Sequence, residues 1–222
     1  MVFSCWSAKG GSGTTVVSVA LAVLLGQQSD AGSVYVDLEG DAPTVFGMPE
    51  PDSPGLSDWF AASESVGVSA IERLERPVAN AVRLVPRGRR EFSGDERARI
   101  CIERLNADER PVVVDIGCIA GSGDPGDLVR RCFAERATTS LLVTRPCFLS
   151  LRRALSLPLR PTGVVLIEEA GRALGRRDVE DVLGVPVIAT IEVDAAVARA
   201  VDAGLLAARL PSSLGRALRD VA

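Results

Sequence analysis

A chain of 222 residues, 47% hydrophobic and 24% charged, has the apolar content for the core of one large α/β domain. Aromatic residues make up only 4%, so that core is built from Ala, Val, Leu and Ile. The net charge of −4 gives no global attraction to nucleic acid or anionic lipid, and the lack of histidine excludes histidine catalysis and histidine metal ligation.

The chain opens with a short apolar run, MVFSCWS (1–7), that reads as a strand. It feeds a glycine-rich turn. TTVVSVALAVLLGQQ (14–28) follows with helical length and an almost wholly apolar face, which predicts a buried helix. SVYVDLEGD (33–41) is a second strand ending in acids, PEPDSPGLSD (49–58) a Pro-rich loop, and NAVRLVPRG (80–88) a third, weaker strand. Residues 93–107 begin with a serine cap and an acidic first turn and continue with helical spacing. RPVVVDIG (110–117) is a fully apolar strand bounded by Pro111 and Gly117. ATTSLLVTRP, PTGVVLIEEAG and VPVIATIEVD complete the strands, with helices predicted over 126–136, 147–156, 175–183, 194–203 and 212–221. Continuous apolar strands separated by helices indicate a parallel sheet covered on both faces. The expected fold is a single domain over 1–222, a three-layer α/β/α sandwich with a mostly parallel, doubly wound sheet.

The five cysteines, Cys5, Cys101, Cys118, Cys132 and Cys147, are odd in number and form no CxxC pair. They read as reduced thiols of a cytoplasmic protein, with Cys5 and Cys118 inert in core strands. No basic-then-apolar signal pattern precedes the first strand, and no apolar run reaches membrane-spanning length. Trp6 and Trp59 read as packing residues.

The chemistry lies in the turn. A strand running into Gly10-Gly11-Ser12-Gly13 and then a helix converges several backbone N–H groups on one point, where the helix dipole adds positive potential. That is an anion cradle without a charged side chain. A phosphate loop usually ends in a lysine that bridges the outer phosphates, followed by a Ser or Thr on Mg²⁺. Here Thr15 can take the magnesium role, but Thr14 stands in the lysine position. A charge-assisted hydrogen bond contributes roughly 1.5–3 kcal/mol, so its loss weakens phosphate binding about ten- to a hundred-fold, to millimolar affinity unless another cation compensates. Of the 25 basic residues one is lysine, and it is Lys9, at the start of this turn. Asp37 and Glu39 end the second strand and Asp115 ends RPVVVDIG. Ligands of open parallel sheets sit beyond such carboxyl ends, and a hard cation on phosphates needs carboxylate oxygens there.

KGGSGTT resembles the deviant phosphate loop KGGxGK[ST] of the ParA/MinD family of P-loop ATPases. VYVDLEGDAPTVFGM resembles that family's second-strand motif, PVVVDIG its strand ending in the magnesium-linked Asp, and GVPVIATIEVDAAVARAVDAGLL its last strand and following helix. The order is kept over essentially the whole chain. PGLSDWF and ALGRRDVEDVLGVPV look most like actinobacterial septum-site-determining or TadZ/CpaE-like members, which are associated with positioning pilus or secretion machinery or the septum. The resemblance implies a SIMIBI-type P-loop fold and a site for ATP and Mg²⁺. It gives Lys9 the place of the lysine that reaches a partner's phosphates across a nucleotide-sandwiched homodimer, Gly10, Gly11, Ser12, Gly13, Thr14 and Thr15 the phosphate loop, and Thr15, Asp37 and Asp115 the magnesium set. Glu39 matches the acid that positions the attacking water, one methylene longer. Glu168 replaces an Asn near the adenine, and Ile191-Glu192 replaces Ile-Pro.

Thr14, Glu39 and Glu168 all depart from the family pattern at the nucleotide, and phosphoryl transfer depends on positioning and charge neutralisation. The expectation is a degenerate ATPase, a pseudo-ATPase, that works through protein partners of a polar or septal assembly. A slow ATPase in which Lys9 replaces the missing charge and a nucleotide-free scaffold are the alternatives. Recruitment to a pole, septum or inner membrane face is what the resemblance implies. Arginines cluster at 87–90, at 152, 153 and 160, and at 172, 176 and 177, as relatives that bind DNA non-specifically would require; with 29 acids in the chain, solvated surface is favoured over DNA. Leu214, Leu218 and Val221 share a face of a C-terminal helix too short to anchor on a membrane alone, so it is expected to pack on the domain.

Overall fold

The computed structural model describes every residue except Glu50 and Asn80, and of Asp95 only the backbone. Strand β1 (Val2–Ser7) leads through the glycine turn into α1 (Thr14–Gln28). Strand β2 (Ser33–Asp37) is followed by two short helices, α2 (Ala42–Val45) and α3 (Leu56–Phe60), a 3₁₀ helix (Val68–Leu74) and the two-residue strand β3 (Arg76–Pro77). Next come β4 (Val82–Val85), α4 (Asp95–Asn106), β5 (Val112–Cys118) and α5 (Pro125–Arg136). Strand β6 (Thr139–Thr144), α6 (Phe148–Ser156), β7 (Gly163–Glu168) and α7 (Arg176–Leu183) follow. Strand β8 (Val187–Glu192), α8 (Ala195–Asp202) and α9 (Ser212–Leu218) end the chain.

The strands form one 8-stranded sheet in the order β3-β4-β2-β5-β1-β6-β7-β8. Among the described residues every neighbouring pair is parallel except β3–β4. Alternate side chains of each strand feed two cores. Trp6, Val34, Val114, Leu142 and Val164 face one layer, with Ile102, Phe133, Leu151 and Val179 from α4 to α7. Phe3, Tyr35, Val113, Val143 and Val165 face the other, with Val17, Leu21, Leu214 and Leu218 from α1 and α9. The three-layer architecture is the expected one, and α1 is buried along most of its length. Leu214 and Leu218 are buried and pack α9 onto α1 and β8.

Two local expectations change. The stretch 49–58 is not loop throughout, because α3 starts at Leu56. Its backbone is fixed from outside: the Leu56 N–H donates to the Pro86 carbonyl at 2.8 Å, the Asp58 carboxylate accepts from the Gly55 N–H at 2.9 Å, and Trp59, Phe60 and Phe92 stack edge to face. Helix α4 begins behind Gly94, not behind a capping Ser93, and no side chain caps it.

Candidate functional site

The turn after β1 holds its shape with few side chains. Gly11 and Gly13 have φ of +75° and +89°, a region costly for any residue with a Cβ. The Ser12 hydroxyl donates to the Lys9 carbonyl at 2.7 Å, and the Val17 N–H closes the first turn of α1 onto the Gly13 carbonyl at 3.0 Å. A Cβ built on Gly10, Gly11 or Gly13 would meet no protein atom within 4 Å, so these glycines face open space. That space is a cavity of about 360 Å³ lined by Ser7, Gly10, Gly11, Ser12, Gly13, Thr14 and Thr15 from the turn and by Glu39, Asp41, Gly117 and Cys118 across from it.

Asp115 lies near the turn but outside the cavity lining. It is fully buried and accepts hydrogen bonds from the Tyr35 hydroxyl at 3.0 Å and from the Gly117 N–H at 3.1 Å, and the nearby Thr15 side chain acts to lower its carboxyl. Tyr35 in turn shares a 2.8 Å hydrogen bond with Ser18, whose hydroxyl reaches the Thr15 carbonyl. Thr15, Asp115, Tyr35 and Ser18 therefore form one buried network beneath the turn. Burial pushes the Asp115 carboxyl up to about 6, against the lowering effect of its hydrogen bonds. Asp37 lies opposite Asp115 on β2 and is equally buried. Burial first, then the charge of Asp115, push its carboxyl up to about 7. Both of its oxygens are held by backbone: Oδ1 accepts from the N–H of Glu39 at 3.0 Å and of Gly40 at 2.7 Å, and Oδ2 from that of Ala42 at 3.2 Å. Asp37 thus shapes the loop after β2.

Glu39 is exposed on the cavity wall. Its carboxylate lies over Gly117, whose φ of +70° and missing Cβ make room for it. It pairs with Arg130 of α5 at 3.3 Å, and the Arg130 Nε–H donates to the Ile116 carbonyl at 3.2 Å.

The remaining expected site residues stand apart. Lys9 is half-buried and does not line the cavity; its charge is one of those that lower the thiol of Cys147, the residue just before α6. Burial acts to raise that thiol, but hydrogen bonds with Ser150, at 3.0 Å from hydroxyl to sulfur, and the charges of Lys9 and Arg172 outweigh it and hold it below the ordinary value. Glu168 ends β7 in register with Glu192 of β8, and both line a separate, larger cavity of about 880 Å³ with Glu169, Arg172 and Arg176. Cys118 is not a core residue as expected. It ends β5 half-buried on the glycine-turn cavity, its thiol raised by burial and by Glu39. Sequence reasoning missed Asp41, Tyr35 and Arg130. Asp41 and Tyr35 lie within the acidic strand segment already singled out, whereas Arg130 is one arginine among many on a helix.

The cavity fits a phosphate at the backbone level, since the first N–H groups of a helix have no intrahelical partner and the glycines before α1 leave open space beside them. It offers no cationic side chain among the described residues, and Glu39 and Asp41 make its wall negative. No group of three acidic or cysteine ligands forms a metal cluster among them either. A magnesium ion bound with phosphates would meet Thr15 on the cavity wall, with the Asp115 carboxylate buried behind it. The arginine clusters are partly spent on acids: Arg89 on Asp52 at 3.1 Å, Arg90 on Asp58 at 3.7 Å, Arg176 on Glu180 at 3.1 Å, and Arg172 on Glu169.

Strand, glycine turn and buried helix at the carboxyl edge of a parallel sheet define an α/β domain of the phosphate-loop class. Its fold is that of the ParA/MinD P-loop ATPases. A ParA family ATPase from Chlorobium tepidum TLS superposes with a TM-score of 0.73 at 22% identity, over 99% of this chain and 96% of that one. The septum site-determining protein MinD of Pyrococcus horikoshii OT3, solved with Mg-ADP, gives 0.76 at 21% identity over 99% and 93%. The MinC:MinD cell division complex of Aquifex aeolicus gives 0.74 at 17% over 99% and 92%. At these identities the likeness is one of fold. No protein-family model matches the chain, and no curated protein matches it significantly. No helix among the described residues is long and apolar enough to cross a membrane.

Proposed function

We propose that this chain is a ParA/MinD-like positioning protein with a degenerate nucleotide site. It binds Mg-ATP weakly at the glycine turn and hydrolyses it slowly or not at all. The observation that carries the reading is the composition of the cavity: a complete backbone cradle, two carboxylates on its wall and no cationic side chain among the described residues. A triphosphate in such a site relies on amide N–H groups and its own magnesium, which supports binding better than transition-state stabilisation. Gly10, Gly11, Ser12, Gly13, Thr14 and Thr15 hold the phosphates, Thr15 and Asp115 face the magnesium, and Asp37 holds the loop that carries Glu39. Lys9, outside its own cavity, is free to serve the phosphates of a second copy in a homodimer. Glu168, on the separate cavity at the end of β7, is left outside this set.

On this reading the output is assembly with protein partners at a pole, septum or secretion machine of the TadZ/CpaE or septum-site type. The solved MinC:MinD complex supports a partner-binding role for this fold. The test is titration calorimetry with Mg-ATP beside a phosphate-release assay. Millimolar binding without release supports the reading. Release well above the uncatalysed background overturns the pseudo-ATPase assignment, and absence of binding leaves a nucleotide-free scaffold.

A further inference from the structure

The cavity lacks a cation on its surface, but one stands directly behind its wall. Arg130 projects from α5 with a side chain 21% exposed and is screened from the cavity by the carboxylate of Glu39. Two of its five N–H groups are engaged among the described residues, one on the Ile116 carbonyl and one on Glu39. The two contacts differ in strength of tether. The Ile116 bond anchors the guanidinium to the strand that ends in Gly117 and Cys118, both cavity residues. The Glu39 bond, at 3.3 Å, is long for a charge-assisted pair and joins two partly exposed groups, so solvent screens it. The Cys118 thiol on the cavity wall is raised by burial and by Glu39, and the charges of Arg153 and then Arg130 act to lower it, so positive charge is felt at this wall.

We propose that Arg130 is a phosphate-binding residue held in reserve by Glu39. When a polyphosphate occupies the glycine turn, its charge displaces the Glu39 carboxylate from Arg130, and the guanidinium turns to the outer phosphate while staying on Ile116. The arginine then supplies the cation that Thr14 does not. Glu39 acts as the gate, because it occupies the guanidinium and presents negative charge to the incoming anion. This inference rests on the nucleotide reading above and names the residue that reading lacks.

The test is a double-variant cycle read by calorimetry with Mg-ATP: wild type, Arg130→Ala, Glu39→Gln and the pair, with thermal melts as the folding control. Arg130→Gln, which keeps the reach to the Ile116 carbonyl, stands in if the alanine variant does not fold. Exchange predicts that Arg130→Ala weakens Mg-ATP about ten- to a hundred-fold and that Arg130→Lys restores part of it. It also predicts that Glu39→Gln strengthens binding more when Arg130 is present than when it is absent. If Arg130 merely neutralises Glu39, the order reverses, since an unpaired Glu39 repels most in the Arg130→Ala background. That reversed order, or unchanged affinity in Arg130→Ala, overturns the proposal and leaves the nucleotide reading standing. No Mg-ATP binding by any of the four proteins overturns both.

Discussion

Asp37 and Asp115 face each other across β2 and β5 as a pair of fully buried carboxyls, with no cation beside them among the described residues. Folding places two acids where at most one ionises comfortably. Both take up protons more readily folded than unfolded, with values of about 7 and about 6 against an ordinary 3.8. Their contribution to stability is therefore fully present below about pH 4 and lost as pH rises through 6 and 7. The melting temperature is expected to fall by on the order of 10 °C between pH 5 and pH 8, at roughly 2–4 °C per kcal/mol for a chain of this size. Asp115→Asn flattens that profile and raises the melting temperature at pH 8, since the amide still accepts from the Gly117 N–H and the Tyr35 hydroxyl can turn to Ser18. A wild-type melting curve independent of pH from 5 to 8 would show that the pair carries no such penalty.

Gly117 sits where a side chain would fall on the Glu39 carboxylate, in a left-handed backbone conformation. Gly117→Ala meets both costs together: strain at positive φ and expulsion of Glu39 from its seat beside Arg130. The expected loss is about 1–3 kcal/mol in denaturant unfolding. An alanine variant as stable as the wild type would mean that Glu39 moves freely and is not seated at all.

The parts of the chain that announced themselves are those where local pattern and tertiary role agree. RPVVVDIG reads as a buried strand because the five positions between Pro111 and Gly117 are four apolar residues and one acid in an unbroken run, and β5 covers them. TTVVSVALAVLLGQQ is too long for a strand and too apolar for a surface, and α1 is the buried helix it implies. The glycine turn, Thr15 and Glu39 converge on one cavity as their place at strand ends suggests. What stayed hidden depends on direction. Asp37 reads from its position as a strand-end acid, and only the fold shows that three backbone N–H groups of the following loop donate to it. Lys9 adjoins the turn, yet its charge falls on Cys147, more than a hundred residues away. Helix α3 lies in a Pro-rich stretch and is held by Phe60 docking edge-on against Phe92 while Trp59 packs edge-on against Phe60. Arg130 has no local pattern to separate it from other helix arginines; only the fold brings it behind Glu39.

The five thiols divide by surroundings. Cys5 and Cys101 are fully buried and their thiols are pushed far up by burial. Cys147, at the start of α6 with Lys9 and Arg172 nearby, is held below the ordinary thiol value. Iodoacetamide at neutral pH is therefore expected to label Cys147 ahead of Cys5 and Cys101, which react only on unfolding. Lys9→Ala removes one of the lowering charges, so its Cys147 labelling rate falls by a few-fold and the pH profile moves upward. Mass spectrometry of labelled peptides over a pH series reads both. Equal labelling of Cys147 in the Lys9→Ala protein would place the Lys9 charge elsewhere.

Thr14 tests whether the site has lost only its cation. It is the first residue of α1, buried, and it lines the cavity, so a longer side chain there emerges among the cradle's N–H groups. Thr14→Lys adds one charge-assisted contact to a bound polyphosphate and is expected to tighten Mg-ATP about ten- to a hundred-fold. Turnover need not follow. Hydrolysis also requires a group that orients the attacking water, and the added lysine supplies charge but no such group. The Thr14→Lys protein should therefore bind well and release phosphate no faster than the wild type, measured by calorimetry and a phosphate assay on one preparation. Tight binding with strong release would show that charge alone was missing and that Glu39 is competent where it stands. No gain in affinity would show that the glycine turn does not receive phosphate.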